Sequence, residues 1–427
     1  MASLVLLMFF VIFLALRVPI AFCMGISSLI AVMTTEYPLQ VMAQQIAGGI
    51  QSYPLMAVPF FILAGNMLNS TGITSRIFLF ASNVMGHIKG GLAQVAVLAN
   101  MIFAGISGSA LADLGGLGVI LIKAMGEAGY SKRLTLGIVL SSSMIGPIIP
   151  PSIIFVLYAV QTDVSIGRLF LAGIIPGITI GICLMLYVYY LDATGKEKCP
   201  LTSKPTLKSV LFALRKSFFA VIAPAVILFA ILGGIVTPTE AGALAVFYSF
   251  FVGLIYGDIE WKEMPKALMN SVLTTSLVMV YIGFATIMGW IFASDRVPQE
   301  IASILLSITT NKYVMLFVIN VFLLILGCLL ETVPALIVTI PVLLPLIQQL
   351  KIDPVHFGVV MSFNLIIGLI TPPMGLGLYI ANNLCNMSFE EGFKAAMPFL
   401  IVLIASLLII TYIPAISLFL PNLLMGK

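Results

Sequence analysis

Long apolar segments follow one another along this chain, with short polar runs between them. Several contain no Asp, Glu, Lys or Arg, namely residues 90–112, 134–162, 169–191, 354–389 and 395–426. A helix rises 1.5 Å per residue, so roughly 20 apolar residues cross a hydrocarbon core of about 30 Å. Lipid offers no partner to a bare peptide group, so such segments favour helices. The pattern therefore predicts an all-α integral membrane protein with multi-pass helices.

Proline positions in the first half recur in the second half at nearly constant spacing. The offsets are 238 − 19 = 219, 372 − 150 = 222 and 398 − 176 = 222, for the pairs Pro19 and Pro238, Pro150 and Pro372, Pro176 and Pro398. The double prolines also share their context, because residues 146–152 read GPIIPPS and residues 368–374 read GLITPPM. We interpret the chain as two structural repeats, 1–195 and 217–427, joined by residues 196–216. Duplicated halves with Gly/Pro interruptions at matching positions are typical of secondary transporters, whose site lies between the repeats.

Each double proline is predicted to break a helix. Pro150 and Pro151 have no backbone N–H, so upstream carbonyls lose their helical partners. One half-helix then ends in bare carbonyls, which suit a hard cation such as sodium. The other begins with free N–H groups, which suit a carboxylate. A plain proline kink is the alternative for one break alone. The matching copy at Pro372 and Pro373 favours the ion-site interpretation.

Small and polar residues interrupt the apolar segment that precedes the first break. Residues 105–113 read GISGSALAD, and glycine weakens a helix by about 1 kcal/mol relative to alanine. Close helix packing explains the glycines, but it explains Ser107, Ser109 and Asp113 less well. In the second half, Gly327 to Thr332 occupies the equivalent place. Glu331 there is either a helix end at the water boundary or a buried functional acid.

Two further charged positions lie beside apolar runs. Glu240 follows Thr237 by three residues and Pro238 by two, which predicts a capping box at a helix start. A functional buried acid is the equally weighted alternative, and Glu240 can fill both roles. Arg296 follows the uncharged run 271–294. It is a candidate for binding a substrate carboxylate, with an interfacial anchor as the other interpretation.

Composition supports the membrane assignment and limits the function classes. Hydrophobic residues make up 61% of the chain and charged residues 8%, against roughly 25% charged in soluble domains. The net charge of +4, from 20 − 16, is too small and too dispersed for nucleic-acid binding. Its densest basic run, residues 196–216, is predicted to be a cytoplasmic loop and includes Lys204. Two histidines and five scattered cysteines make a metal centre or disulfide framework improbable, and nothing indicates an organic cofactor.

Four motifs together resemble the large membrane subunit of the tripartite ATP-independent periplasmic (TRAP) transporters. They are GISGSALAD at 105–113, IPPSIIF at 149–155, VTPTEAG at 236–242 and ITPPMG at 370–375. The resemblance runs over essentially the whole chain. It implies a scaffold and a mobile transport domain that moves as an elevator. It also implies two re-entrant helical hairpins, at about 92–125 and 313–350, and broken helices at about 134–162 and 355–385.

The resemblance also implies a site and partners. Sodium, the coupling ion, would bind at hairpin tips and helix breaks, mostly through backbone oxygens. The implied first site is Ser107, Ser109, Gly146, Ile149 and Pro151; the second is Gly327, Thr332, Gly368, Thr371 and Met374. Asp113 would lie beside the substrate path. The implied partners are a small membrane subunit as a separate chain, a soluble periplasmic binding protein, a carboxylate substrate and lipid. The implied location is the bacterial inner membrane.

The predicted function is sodium-coupled import of an organic acid, such as sialic acid or a four-carbon dicarboxylate. Proton coupling is the first alternative, with Asp113, Glu240 and Glu331 as carriers. A membrane-embedded hydrolase using Ser107 or Ser109 is a weaker one, because His87 and His356 lie outside the motif and no base is positioned. A passive channel is the third, but duplicated cation sites are more natural in a coupled carrier.

Overall fold

The computed structural model describes residues 2–35, 37–201 and 205–426, and within those ranges it contains helices and no strand. The first half contains α1 (Ala2–Ala15), α2 (Ile20–Met33), α3 (Gln40–Ile50), α4 (Ala57–Ser70), α5 (Ile73–Met85), α6 (Leu92–Ser107), α7 (Ala110–Gly115), α8 (Leu117–Glu127), α9 (Lys132–Ser143), α10 (Ile153–Thr162) and α11 (Ile166–Ala193). The second contains α12 (Leu207–Leu232), α13 (Pro238–Tyr256), α14 (Met264–Ser294), α15 (Val297–Ile308), α16 (Lys312–Leu329), α17 (Thr332–Gln349), α18 (Pro354–Ile367), α19 (Leu376–Cys385), α20 (Phe389–Tyr412) and α21 (Ala415–Met425). Two short 3₁₀ segments are Tyr53–Met56 and Gly368–Ile370.

Seven helices of the described residues are long and apolar enough to cross a membrane: α11, α12, α13, α14, α16, α17 and α20. An eighth span is possible by length if α3 and the segment Tyr53–Ser70, which meet at a bend of 58°, count as one. The predicted all-α, multi-pass membrane fold is confirmed. The two repeats and the division into scaffold and transport domain stay predictions.

Helices separated by breaks fill the regions that the sequence predicted as hairpins and broken helices. In the first half, α6, α7 and α8 form the first hairpin region, and α9 and α10 lie on either side of the first double proline. In the second half, α16 and α17 form the second hairpin region, and α18 and α19 flank the second double proline. The bonds Pro150–Pro151 and Pro372–Pro373 are both cis.

The hairpin and broken-helix segments pack chiefly on one another. α6 packs on α9, α16 packs on α18, and α10 and α18 both contact α17. α11 and α20 cover this group, with α20 against α9. The remaining long helices form another group, in which α4 packs on α13 and α14, and α2 and α3 pack on α14. The two groups meet where α4 and α5 contact α6 and where α14 and α15 contact α17.

The basic segment predicted as a loop at 196–216 is partly helical. α12 begins at Leu207, because Thr206 accepts a hydrogen bond from the Ser209 backbone N–H and the Ser209 hydroxyl accepts one from the Thr206 N–H. This reciprocal pairing satisfies two donors that a helix start leaves free. Thr202, Ser203 and Lys204 lie outside the described residues. The cytoplasmic location of the segment stays a prediction.

The chain after α11 folds over the open end of the first hairpin. Tyr130, in the connection between α8 and α9, is buried, and its hydroxyl accepts from the Leu92 N–H at 2.9 Å and donates to the Pro200 carbonyl at 2.9 Å. Burial raises the pKa of Tyr130, so this hydroxyl keeps its proton at neutral pH. One side chain thus joins the start of α6 to the segment that follows α11.

Two acidic side chains complete this arrangement. The Asp192 carboxylate accepts a hydrogen bond from the Gly90 N–H at 2.9 Å. The Ser131 hydroxyl donates to the Glu197 carboxylate, also at 2.9 Å. The base of the first hairpin is therefore fastened to its own chain by carboxylates and a carbonyl.

We predict that Tyr130→Phe destabilises the protein through this base. The change leaves the buried Leu92 N–H without its partner, which costs roughly 1–3 kcal/mol. Thermal unfolding in detergent measures the effect. Tyr190→Phe is the matched control, because Tyr190 is exposed and its hydroxyl meets the exposed Lys196 ammonium. Equal melting temperatures for the two variants would contradict the assigned role of Tyr130.

Candidate functional site

The first helix break exposes peptide groups inside the protein. After α9, the backbone continues in three-residue turns, with Gly146 N–H donating to the Ser143 carbonyl at 3.1 Å. Pro150 and Pro151 then supply no donors. Ser152 starts α10, accepting from the Phe155 N–H at 3.2 Å and donating to the Pro147 carbonyl. The break is therefore held by side-chain hydrogen bonds rather than by a continuous helical ladder.

The tip of the first hairpin lies directly against this break. Gly108, between α6 and α7, has φ +61°, and a Cβ atom there would overlap the Pro151 carbonyl oxygen. The Ser107 hydroxyl donates to one carboxyl oxygen of Asp113, and Ser109 caps α7 by accepting from the Ala112 N–H. The structure thus brings Ser107, Ser109 and Pro151 to one place, as the sequence predicted for the first cation site.

Asp113 and Gly146 are in contact behind this tip. Asp113 is fully buried, and a Cβ atom on Gly146 would overlap its Oδ2 atom. That oxygen has no hydrogen-bond partner among the described residues. Ile149 belongs to the same break, and its side chain packs against Gly177 of α11. Asp113 therefore contacts both Ser107 of the tip and Gly146 of the break, and it does not line the cavity described below.

The second break repeats this arrangement with different residues. Gly327, near the end of α16, lies against Gly368 so closely that a Cβ on Gly368 would overlap the Gly327 carbonyl. Met374 N–H donates to the Cys328 carbonyl at 3.2 Å, and Thr332 Oγ1 donates to the Leu365 carbonyl at 3.4 Å. Thr371 Oγ1 turns back to the Ile367 carbonyl at 2.9 Å. All five residues of the second predicted site therefore surround one junction.

Buried amides join each hairpin to its broken helix. In the first half, Asn100 donates to the Ser142 hydroxyl at 2.8 Å. In the second half, the Asn364 side-chain amide donates to the side-chain oxygen Oδ1 of Asn320 at 2.8 Å. Polar pairs in a membrane-embedded core align helices because the alternative is an unsatisfied group. These pairs set the register between each hairpin and its break.

Both hairpin tips open onto one cavity of about 470 Å³. This size is within the usual range for small-molecule sites. The first tip contributes Ser107 to Ala112, and the second contributes Glu331 to Val333. The wall also includes pairs of residues at the repeat offset, since 369 − 147 = 222 and 376 − 154 = 222, for Pro147 with Leu369 and Ile154 with Leu376.

Helix N-termini converge on this cavity. α10 presents Ile153 and Ile154 to it, α17 presents Thr332 and Val333, and α19 presents Leu376. The first turn of a helix carries free N–H groups and a partial positive charge. No Lys, Arg or His is among the described residues that line the wall. An anion entering here would therefore meet peptide N–H groups and neutral polar side chains.

Glu331 is the one carboxylate among the described residues of this wall. It is half-buried at the N-cap position of α17, and its role as a functional acid stays a prediction. The Tyr281 phenol of α14 interacts with it. If an anion bound in this cavity, the negative charge of Glu331 would oppose it unless a nearby cation or proton offset that charge.

The other two charged candidates lie away from the cavity. Glu240 is exposed rather than buried, because it occupies the third position of a helix that begins at Pro238. It forms the predicted capping box, accepting from the Thr237 N–H at 2.7 Å and from the Thr237 hydroxyl at 2.9 Å. Arg296 is exposed just past the end of α14 and is absent from the described cavity wall.

Sequence reasoning missed the wall that α4 and α14 supply. Asn270, Thr274 and Tyr281 line the cavity from α14, and Asn66 lines it from α4. Part of their signal was available, because Asn270, Thr274 and Tyr281 recur at helical spacing within an uncharged run, although Ser271, Thr275 and Ser276 interrupt it as well. Asn66 also donates to the Ser271 hydroxyl at 2.8 Å, which joins these two helices.

We predict that Gly368→Ala disrupts the second junction. Its Cβ would meet backbone atoms of Gly327, which cannot rotate away, so we expect a loss of roughly 1–3 kcal/mol in unfolding free energy. Gly126→Ala is the matched control, because nothing lies within 4 Å of its Cβ position in α8. That change should stabilise the helix slightly. Thermal unfolding compares the two, and an unshifted Gly368→Ala would contradict the packing described here.

Comparison with known proteins identifies the family. Residues 7–416 match the family described as "Tripartite ATP-independent periplasmic transporter, DctM component". The chain is 38% identical to the sialic acid TRAP transporter large permease protein SiaM of Vibrio cholerae, over 92% of each chain. It is 39% identical to the C4-dicarboxylate TRAP transporter large permease protein DctM of Pseudomonas aeruginosa, over 87% of each. It is 34% identical to the 2,3-diketo-L-gulonate TRAP transporter large permease protein YiaN of Escherichia coli, over 88% of this chain and 89% of that one.

Solved structures of two other transporters share the fold at low sequence identity. The YdaH transporter of Alcanivorax borkumensis aligns with a TM-score of 0.60 and 14% identity over 88% of each chain. MtrF of Neisseria gonorrhoeae aligns with a TM-score of 0.58 and 14% identity over 90% of this chain and 84% of that one. The family match and the apolar spans place the chain in the bacterial inner membrane as a multi-pass transporter subunit, not an enzyme. The chain belongs to the tripartite ATP-independent periplasmic transporter family, as a large permease (DctM-type) subunit.

Proposed function

We propose that this subunit imports a carboxylate-bearing organic acid and that a sodium gradient drives the import. The observation that carries the proposal is the convergence of two hairpin tips and three helix N-termini on one cavity of about 470 Å³. Free N–H groups at the starts of α10, α17 and α19 favour an anion.

The three relatives described above support a carboxylate substrate. The three relatives are named for sialic acid, C4-dicarboxylates and 2,3-diketo-L-gulonate, and all three substrates carry a carboxylate. The neutral donors of the wall, Asn66, Asn270, Thr274 and Tyr281, suit the hydroxyl and carbonyl oxygens in which such acids differ. We therefore assign the carboxylate to the helix N-termini and the rest of the substrate to the side of α4 and α14.

Sodium is proposed as the coupling ion at the two junctions. Its first site would use Ser107, Ser109, Gly146, Ile149 and Pro151, and its second Gly327, Thr332, Gly368, Thr371 and Met374. Glycines let the peptide groups at each junction approach closely, and breaks free carbonyl oxygens that a hard cation prefers. A cation at either junction would also offset the charge of Glu331. Ion and substrate would then stabilise the same arrangement of the tips, which is the physical basis of coupling.

The remaining parts of the proposal concern movement and partners. The hairpins and breaks pack on one another as a group, and we propose that this group moves as an elevator against the group that contains α4, α13 and α14. A small membrane subunit would pack beside the latter, and a periplasmic binding protein would deliver the acid. Contacts between α14 and α17 would then change during transport.

Proton coupling is the alternative that a specific observation favours. Glu331 is half-buried in the cavity wall, and Asp113 is fully buried with an unpartnered oxygen. Buried carboxyls in membrane proteins are common proton carriers. The two couplings differ in their driving gradient, so one assay separates them.

We predict sodium-driven uptake in proteoliposomes that contain this chain, its small subunit and a loaded binding protein. An inward sodium gradient should drive accumulation of one member of a panel of acids, and its removal should abolish accumulation. Glu331→Gln should still respond to sodium. Uptake that ignores sodium but follows a pH gradient, and is lost in Glu331→Gln, would assign coupling to protons.

We predict that Ser109→Ala harms uptake less than Pro150→Ala combined with Pro151→Ala. The serine change removes one cap, worth about 1 kcal/mol, and leaves the backbone carbonyls in place. The double change gives residues 150 and 151 N–H groups that can continue the helix and occupy those carbonyls. Sodium-dependence of initial uptake rates measures both. Equal tolerance of the two variants would rule out a site built on the break.

A further inference from the structure

A second cavity, of about 210 Å³, lies at the base of the second hairpin. It is enclosed by the start of α16, the connection from α17 to α18 and the turn between α20 and α21. Its described lining consists of Lys312, Tyr313, Leu316, Lys351, Ile352, Asp353, His356, Thr411, Pro414 and Leu418. None of these residues lines the cavity between the hairpin tips.

Two ammonium groups dominate the charge of this cavity. Lys312 and Lys351 are both exposed, and the Lys312 ammonium lies 5.1 Å from the centre of the Tyr313 ring. Asp353 is the one acid in the described lining. Its Oδ1 accepts from the Val355 N–H at 2.8 Å, so the start of α18 partly offsets its charge. The cavity therefore favours an anion.

The floor of the cavity is polar and closed. His356 is buried, with Nδ1 2.6 Å from the Ser417 hydroxyl and Nε2 3.2 Å from the Thr411 carbonyl. Both ring nitrogens are thus occupied within the protein. A ligand would meet the lysines at the rim rather than the histidine below.

Lys351 adopts a backbone conformation that disfavours a side chain. Its φ is +53°, and the residue 222 positions earlier, from 351 − 129, is Gly129 with φ +82°. Glycine adopts this conformation without strain, whereas a residue with a Cβ atom is strained there. The turn itself therefore does not require lysine. Strained residues that a fold retains often mark functional positions.

The base of the first hairpin shows what such a position binds. There Gly90 and Ser131 contact the carboxylates of Asp192 and Glu197. The residues 222 positions later are Lys312 and Asp353, from 312 − 90 and 353 − 131. Among the described residues, no carboxylate from elsewhere in the chain covers this second base, which instead presents two lysines. Asp353 itself occupies the position of Ser131, so an external anionic group would fill the place beside Lys312 that Asp192 fills beside Gly90.

Exposed apolar side chains continue from the cavity on both sides. On α16, Val314, Phe317 and Val321 are exposed, and on α21 so are Phe419 and Leu423. Tyr313 is exposed at the rim, where aromatic rings commonly mark the membrane interface. A ligand with a phosphate head and acyl chains matches this arrangement, in which charged groups, an aromatic ring and an apolar surface lie next to one another.

We propose that this cavity binds the phosphate group of an anionic phospholipid, held by Lys312 and Lys351. The acyl chains would lie along the exposed faces of α16 and α21. Basic pockets between membrane helices commonly hold such head groups. The site is separate from the cavity between the hairpin tips. A lipid bound there would contact the base of the second hairpin.

Native mass spectrometry of the purified transporter tests the proposal with phosphatidylglycerol, phosphatidylcholine and inorganic phosphate as probes. The unmodified chain should retain phosphatidylglycerol in preference to phosphatidylcholine. Lys312→Ala combined with Lys351→Gly should weaken that retention about 25-fold, at about fivefold per cation. Lys208→Ala combined with Lys262→Ala is the matched control, because it removes two exposed lysines elsewhere and should retain the lipid.

Lys351→Gly alone separates binding from folding. It removes the strain at φ +53°, so the melting temperature in phosphatidylcholine should stay equal or rise while phosphatidylglycerol retention falls. Equal lipid retention by the lysine variants and the control would overturn the proposal. Retention of inorganic phosphate without any preference for phosphatidylglycerol over phosphatidylcholine would overturn the assignment to lipid.

Discussion

A peptide group in hydrocarbon must find its hydrogen-bond partner within the protein, and the architecture of this chain follows from that constraint. Continuous helices satisfy it through most of the described residues. At two matching places, residues 144–152 and 368–375, double prolines remove donors and the helical ladder stops. Those places are tolerated because hairpin tips cover them. Gly108 lies on the Pro151 carbonyl, and Gly327 lies on Gly368.

The same constraint connects the breaks to function. Peptide groups freed from a helix are fixed dipoles. Their carbonyl ends favour cations, and their N–H ends favour anions. In this fold the N–H ends of α10, α17 and α19 reach the cavity, while the close glycine contacts lie at the junctions beside it. Substrate and ion are thereby proposed to act on adjacent parts of the same tips. Glu331 belongs to both, because it occupies the N-cap position of α17 and lines the cavity.

The two hairpins resemble each other at their tips and differ at their bases. The first base is fastened to its own chain by Tyr130, Asp192 and Glu197. The second base leaves a cavity with Lys312 and Lys351 at its rim. A lipid there would tie the second hairpin to the bilayer, where the first is tied to protein. Such an asymmetry would give the two hairpins different mobility.

The sequence by itself determined the membrane class, the helix breaks and the family resemblance. These depend on local chemistry: apolar length, missing proline donors and short motifs carry them without any knowledge of packing. It also located the capping box at Glu240, because a cap is a contact between residues three apart. The sequence also predicted that each hairpin tip meets its break, and Gly108 contacts Pro151 as Gly327 contacts Gly368, while the ion sites themselves stay predictions.

Tertiary structure alone decided which side chains share a space. Asn66, Asn270, Thr274 and Tyr281 reach the cavity because α4 and α14 pack across the tips, a contact between residues some 200 positions apart, as for Asn66 and Ser271. Asp113 lies behind the first tip, and Arg296 lies outside the cavity wall, although local sequence made both candidates for substrate binding. Burial and neighbours depend on how distant helices pack, and residue type and spacing do not encode that packing in a form that can be read locally.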